Sequence, residues 1–147
     1  MVDIIHRIGV ENGTPAAVYD ALATLDGLRG WWTEDTTGSA DLGGVILFRF
    51  GPGDIEMKVV ELVSNELVRW EVVGGPAEWI GTFVDFRIAQ DGDYTIVLFG
   101  HTGWSEPVEF MYHCSTKWAS FLLSLKELVE TGSGRPAPRD LQISNWH

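Results

Sequence analysis

The sequence predicts an α+β domain in which a curved antiparallel sheet of six strands packs against one long C-terminal helix, with two short helices after the first strand. Three observations carry this prediction. Strand-like segments follow one another through turn residues, which is typical of an antiparallel meander. Residues 105–132 keep an apolar stripe at helical spacing along their whole length. A sheet must also bury one face, and a helix of this length can cover it.

The N-terminal third of the chain is predicted to hold one strand and two short helices. Residues 2–10 alternate apolar side chains with a period of two, as a half-buried strand does. Thr14-Pro15 predicts a helix start, because Thr caps a helix and Pro fits its first turn. Asp26-Gly27 is expected to end this helix, and a second short helix or turn then carries Trp31-Trp32. The polar residues 33–42 are expected to form a loop.

Five further strands are predicted in the middle of the chain, at residues 45–50, 55–63, 67–73, 79–89 and 94–102. Clusters of turn residues separate them: Gly51-Pro52-Gly53, Asn65-Glu66, Gly74-Gly75-Pro76 and Asp91-Gly92-Asp93. The last cluster is the strongest hairpin signal in the chain.

The long helix is predicted to span Ser105–Gly132. Ser105 can cap its first turn, where the missing N–H of Pro107 removes no hydrogen bond. Gly132 suits the left-handed residue that ends a helix. At ~1.5 Å per residue this helix would be about 40 Å long. Residues 1–132 are expected to form one domain, followed by an extended tail at 133–147.

The composition argues against several classes of protein. A net charge of −11, with ten scattered Lys and Arg, argues against binding nucleic acid or an anionic membrane surface. No apolar run resembles a signal peptide or a membrane span, so a cytoplasmic location is expected. Cys114 is the single cysteine, which excludes an internal disulfide. The ligand spacing of a zinc site is missing, and neither a metal nor a cofactor is expected.

Three stretches of the chain resemble motifs of a known superfamily. The first is residues 15–22 (PAAVYDAL), followed by Trp31-Trp32 and Gly43-Gly44. The second is residues 101–104 (HTGW), and the third is residues 117–136, from KWASFLLSLK to ETGSGRP. In order and spacing they are similar to the helix-grip domains of the START/Bet v 1-like (SRPBCC) superfamily. The similarity is greatest to the small bacterial branch related to the activator of Hsp90 ATPase, and it covers essentially the whole chain.

This resemblance implies a helix-grip fold with a deep hydrophobic pocket between the sheet and the long helix, but it implies no single activity. The candidate ligand-binding residues are those expected on the inner face of the sheet, at the pocket mouth and on the apolar face of the helix. Taken singly, each is better explained as a core residue, but as a group some of them are expected to line the cavity. They are Trp31, Trp32, Phe48, Phe50, Trp70, Trp79, Val84, Phe86, Val97, Phe99, His101, Phe110, Cys114, Lys117, Trp118 and Phe121.

Two of these candidates are polar enough to orient a ligand. His101 ends an inward-facing row and could hydrogen-bond a ligand oxygen, or it could bond the turn at 102–105 and seat the helix. Lys117 flanks the apolar stripe together with His113. Its amine could reach an anionic head group, or its stem could pack while the amine stays in water.

Three functions are compatible with these features. The first is a carrier or sensor that binds a small hydrophobic or aromatic molecule in the cavity. The second is a cyclase-, hydrolase- or isomerase-like enzyme acting on a polyketide-like or aromatic substrate, with His101 paired to Glu56, Glu71 or Glu78. The third is a co-chaperone-type interaction protein. A homodimer is compatible with all three, and no catalytic residue is assigned.

Overall fold

The computed structural model describes residues 1–51 and 53–147. In chain order, its elements are β1 (Val2–Glu11), α1 (Pro15–Ala23), α2 (Leu25–Trp31), β2 (Thr36–Gly38), β3 (Val45–Arg49), β4 (Asp54–Val63), β5 (Leu67–Gly74), β6 (Phe83–Asp91), β7 (Tyr94–Trp104) and α3 (Glu109–Thr131). The strands form one antiparallel sheet in the order β1-β7-β6-β5-β4-β3-β2. The predicted α+β fold with a long C-terminal helix is confirmed, and the arrangement is that of a helix-grip fold.

The sheet has seven strands in the described part of the chain, rather than the six predicted. The additional strand is β2, which lies in the stretch that was expected to be a loop. It is three residues long, and Thr36 pairs with Phe48 of β3. Its buried Thr36 hydroxyl donates to the carbonyl of Thr33 at 2.7 Å. Strand β2 was not predicted because its sequence has no apolar alternation. Backbone pairing and one hydroxyl hydrogen bond hold the strand instead.

The long helix begins four residues later than predicted. Strand β7 continues to Trp104, so residues 105–108 form the turn into α3. The N-cap is Val108, whose side chain makes no capping hydrogen bond, and Ser105 therefore does not cap the helix. Gly132 does end it, in the left-handed conformation with φ of 88°. The remaining 23 residues still span about 35 Å.

Two other boundaries differ from the prediction. Asp26-Gly27 lies inside α2, because the break between the short helices falls at Thr24, which is extended and caps α2 through Gly27 N–H. A Cβ at Gly27 would lie 2.5 Å from Ala21 Cα, so glycine is needed there for α1 and α2 to approach each other. Strand β6 begins at Phe83, since residues 79–82 form a turn. Of the predicted Gly51-Pro52-Gly53 turn, Pro52 lies outside the described residues.

The core lies between the concave face of the sheet and α3. Cross-strand register stacks the inward-facing residues of β5, β6 and β7, so that Val68 pairs with Phe86 and Phe86 with Phe99. Trp32 is at the centre of the aromatic packing, with its ring centroid 4.2 Å from Phe48 and 4.9 Å from Trp118. These large rings pack together between the sheet and α3.

The residues after α3 run back over the domain. The Arg135 N–H donates to the buried Ser124 hydroxyl at 2.7 Å, and that hydroxyl donates to the carbonyl of Trp31 at 2.8 Å. The Ala137 N–H then donates to the carbonyl of Trp32 at 2.8 Å, and Ala137 makes an isolated parallel bridge with Thr33. The tail is thus placed beside α2 and the start of β2, next to the Trp32 ring.

Candidate functional site

A cavity of about 1040 Å³ lies beneath the N-terminal half of α3, between the β3–β4 hairpin, the β5–β6 connection and the tail. Buried apolar side chains form its floor, and more exposed residues surround its mouth. The floor residues are Trp32, Trp79, Cys114, Trp118 and Phe121. The charged residues at the cavity are Glu34, Asp35, Arg49, Asp54, Lys117 and Asp140, with His113 and His147 beside them.

The structure brings together half of the predicted site residues at this cavity. Those that line it are Trp32, Phe50, Trp79, Phe110, Cys114, Lys117, Trp118 and Phe121. The others lie deeper, between sheet and helix, where none is more than 3% exposed: Trp31, Phe48, Trp70, Val84, Phe86, Val97, Phe99 and His101. The alternation of a strand identifies its inward face, but the depth at which large rings close the space depends on packing that periodicity does not describe.

Sequence reasoning missed most of the mouth. The tail contributes Ala137, Pro138, Asp140, Gln142, Trp146 and His147 to the lining. The strongest sequence signal for this wall is Trp146, the largest apolar side chain in a mainly polar segment. Its ring centroid lies 6.4 Å from that of Phe110 and 5.6 Å from that of His113, so the tail folds back onto α3 here.

His101 is part of a buried hydrogen-bond chain below the floor. The Trp118 indole N–H donates to its Nδ1 at 3.1 Å, and its Nε2 lies 2.8 Å from the Thr82 hydroxyl. That hydroxyl donates to the carbonyl of Trp79 at 2.5 Å. Because Nδ1 accepts and Thr82 already donates elsewhere, the imidazole is the neutral tautomer with its proton on Nε2. Both nitrogens have protein partners, and neither is left for a ligand.

Burial lowers the pKa of His101 to about 3. A charged imidazole would lose its solvation and would repel the Trp118 N–H that now points at Nδ1. His101 therefore seats α3 on the sheet, although through Thr82 and Trp118 rather than through the turn at 102–105.

Lys117 holds the tail. Its Nζ lies 2.6 Å from the Asp140 carboxylate and donates to the carbonyls of Leu141 and His147, the latter at 2.9 Å. It also lies 5.2 Å from the centroid of the Phe121 ring. The amine is therefore neither in open water nor free to meet an anionic head group, because tail atoms surround it.

A second set of contacts fastens the end of the tail to α3. The Ser144 hydroxyl lies 2.8 Å from Nδ1 of His113, beside the packed ring of Trp146. Burial, together with the positive charge of Lys117 and the neighbouring His147, lowers the pKa of His113. A neutral imidazole at this place avoids repulsion with Lys117.

Cys114 lies on the cavity floor as a small buried side chain. Burial raises the pKa of its thiol to about 12, so the thiol stays protonated and unreactive near neutral pH. Among the described residues, no three His, Cys, Asp or Glu side chains come together as a metal site. No helix among the residues that the structure describes is long and apolar enough to cross a membrane.

The model of the activator of Hsp90 ATPase homolog 1-like (AHSA1) family matches residues 12–130. The chain belongs to this family. Among solved structures, the Aha1 dimer from Colwellia psychrerythraea is 45% identical to this AHSA1-like chain, with a TM-score of 0.84. That match covers 91% of this chain and 100% of the other. The family resemblance predicted from the sequence motifs is thus confirmed.

More distant structures share the fold of this AHSA1-like protein. CalU16 from Micromonospora echinospora is 19% identical, with a TM-score of 0.70 over 92% of this chain and 77% of the other. DynU16, a protein of the dynemicin biosynthetic locus, is 17% identical, with a TM-score of 0.73 over 90% of this chain and 48% of the other. At these identities the likeness shows the fold alone. No curated protein matches the chain.

The buried His101 makes folding sensitive to acid. Its pKa of about 3 in the folded protein lies below the usual value of 6.5, so the unfolded chain binds its proton first as the pH falls. The stabilising effect of the neutral imidazole is complete above pH 6.5 and is lost between pH 6.5 and 3. We expect this group to lower the free energy of unfolding by about 2 kcal/mol between pH 7 and pH 5.

Urea unfolding followed by Trp fluorescence at several pH values measures this loss. The His101→Gln variant should show a shallower pH dependence than the wild type over this window. The Thr116→Val variant, at an exposed position that does not titrate, retains the buried imidazole and should keep the wild-type dependence. If the free energy of unfolding depends on pH in the same way in the wild type and in His101→Gln, the lowered pKa of His101 is contradicted.

The Lys117 contacts should control how often the tail detaches. Lys117→Met keeps the apolar stem but removes the amine that binds Asp140 and two carbonyls. Losing these bonds should raise the population of molecules with a detached tail about tenfold or more.

Native-state digestion with trypsin, followed by mass spectrometry, measures this population as cleavage after Arg139. Lys126→Met is the matched control, since the Lys126 amine binds Gly9 and Glu130 instead. Equal cleavage rates in the two variants would contradict the role of Lys117.

Proposed function

We propose that this AHSA1-like protein binds a small hydrophobic or aromatic molecule in the cavity, as a carrier or sensor. The observation that carries the proposal is the cavity itself, with a volume of about 1040 Å³ and a floor of buried aromatic side chains. Small-molecule sites are typically concave, mostly apolar and roughly 300–1,000 Å³ in volume. The cavity therefore has room for a drug-sized molecule.

The packing of the floor supports binding without rearrangement. The Trp79 and Trp118 rings stack with an interplanar angle of 16° and centroids 5.9 Å apart. Trp118 also packs against Trp32, and its indole N–H is held by His101. Side chains that are already fixed lose little conformational entropy when a ligand arrives, which favours affinity.

The enzyme alternative has less support. It depended on His101 beside a carboxylate at the cavity, and His101 instead bonds Thr82 and Trp118 beneath the floor. The co-chaperone alternative draws on the family description alone, and a pull-down of the chaperone by this chain would test it. The binding proposal is preferred because it draws on the geometry of this chain.

Titration with the uncharged fluorophore N-phenyl-1-naphthylamine tests the proposal. We expect saturable fluorescence enhancement at one site per chain. Cys114→Met extends a longer side chain from the floor into the cavity and should weaken binding about tenfold, or about 1.4 kcal/mol, because it occupies volume next to the aromatic rings that the ligand would fill. Cys114→Ala is the matched control and should keep the affinity, since it removes an atom from the same place. Circular dichroism checks that both variants fold.

Two results would contradict binding at this cavity. One is a fluorophore that does not bind the wild type at all. The other is an affinity that Cys114→Met and Cys114→Ala leave equally unchanged, because the fluorophore would then occupy another surface.

We also propose that two copies of the chain associate. A relative that is 45% identical is described as a dimer. On the outer face of the sheet, Ile5 and Leu98 are 74% and 48% exposed. Ile5 lies opposite Gly100, which is two residues from Leu98 along β7, so the two apolar side chains are diagonal neighbours on the same face. A second copy that covered them would remove apolar surface from water.

Sedimentation velocity over a wide concentration range tests this association. We expect the wild type to dimerise and Ile5→Lys to shift the equilibrium to monomer by about tenfold or more, because it would bury a charge at the contact. Tyr112→Lys is the control, at an exposed position on α3. A wild type that stays monomeric would overturn the proposal, and a dimer unaffected by Ile5→Lys would place the contact elsewhere and overturn this assignment.

A further inference from the structure

Negatively charged side chains outnumber positively charged ones around the cavity. Four carboxylates and two basic side chains line it, which gives a formal charge of −2 (−4 plus +2) with the histidines counted as neutral. The whole chain carries −11, so the surrounding field has the same sign. A charged molecule entering the cavity is therefore attracted if it is cationic and repelled if it is anionic.

Both bases at the cavity are already paired with carboxylates. Lys117 is held by Asp140 and by two tail carbonyls. Arg49 pairs with Asp35 at 3.3 Å, and this pair is the weaker of the two because both side chains are about half exposed. An anionic ligand would have to take one of these bases from its carboxylate and leave that carboxylate unpaired beside the new negative charge. Because the displaced carboxylate and the ligand would repel each other, the cavity disfavours the binding of anions.

Some of the acids are less fully neutralised. Asp54, at the start of β4, makes no salt bridge among the described residues. Glu34 faces Arg139 at 3.0 Å, but both side chains are more than half exposed, so this pair is weak. Negative charge thus remains at the mouth to attract a cation.

The aromatic floor favours a cation as well. A positive charge is attracted to the face of an aromatic ring, most strongly to that of Trp. Trp32, Trp79 and Trp118 supply indole rings at the cavity, and Trp146 supplies another at its mouth. The protein's own Lys117 already lies 5.2 Å from the Phe121 ring centroid, which shows that a cation is accommodated against this lining.

We infer that the cavity selects a ligand that joins an ammonium or quaternary ammonium group to a hydrophobic or aromatic body. This inference rests on the proposed binding function and deepens it. The body lies on the aromatic floor, and the positive group lies against the aromatic faces near Glu34 and Asp54.

A series of three naphthalene probes of matched shape tests this inference. They are (2-naphthylmethyl)trimethylammonium, its uncharged tert-butyl analogue and the corresponding carboxylate, each titrated by displacement of N-phenyl-1-naphthylamine. We expect the ammonium probe to bind about five- to tenfold more tightly than the uncharged one, and the carboxylate to bind most weakly. The preference should shrink as salt is added, because the carboxylates at the mouth are exposed to solvent.

One acidic residue provides a matched pair of variants. Asp54→Asn should reduce the ratio of ammonium to uncharged affinity two- to threefold, as expected for one carboxylate in solvent within about 7 Å of the charge. Asp20→Asn removes the same charge from exposed α1, away from the cavity, and should leave the ratio unchanged.

The outcomes distinguish a failure of this inference from a failure of the proposed binding function. If the uncharged or carboxylate probe binds as tightly as the ammonium probe, or if Asp54→Asn leaves the ratio unchanged, the charge preference is overturned while cavity binding stands. If none of the probes, including the fluorophore, binds the wild type, the proposed function is overturned together with the inference.

Discussion

The hydrogen bond from the Trp118 indole to His101 is the contact on which the arrangement of helix and sheet depends. It joins α3 to β7, and it continues through the Thr82 hydroxyl to the carbonyl of Trp79. An imidazole that accepts at one nitrogen and donates at the other gives this chain a single direction. An unsatisfied polar group at such depth would destabilise the fold by about 1–3 kcal/mol. This chain of hydrogen bonds therefore fixes the helix, the sheet and the β5–β6 connection relative to one another.

That contact also explains why the cavity has a firm floor and a less firmly attached wall. Trp118 is held from below through its N–H, so its ring is left to face the cavity, and Trp32 and Trp79 pack against it. The opposite wall is the tail, which is attached through Lys117, Ser124 and the rings around Trp146. Adjustment to ligands of different size is consequently expected at the mouth, while the floor keeps its shape.

The fold could be predicted well from the sequence because its main elements have strong periodic patterns. The long α3, the first helix and the large strands follow directly from spacing and turn residues. Strand β2 could not be predicted, since Thr36 is held by pairing and a hydroxyl bond rather than by an apolar pattern. Nor could the start of α3, because β7 continues through Gly103 to Trp104 and displaces the expected cap.

The site could be predicted only in part, for a related physical reason. Spacing identified the face on which Phe86, Phe99 and His101 lie, but the Trp32 and Trp118 rings place them behind the floor. The charged mouth comes from residues far apart in the chain, such as Glu34 and Asp140. Their proximity follows from the path of the tail, which has no periodicity. The charge balance that favours a cationic ligand therefore emerges only once the chain is folded.

The way Lys117 holds the tail has a consequence for how this protein can diverge. Two of its partners are main-chain carbonyls, those of Leu141 and His147, and every amino acid supplies one. Substitutions at these positions can therefore accumulate without loosening the attachment, while Asp140 and the lysine itself must change together. The wall of the cavity is free to vary in chemistry while it stays in place. Relatives could acquire different ligand preferences by drift in a few tail residues, with the core unaltered.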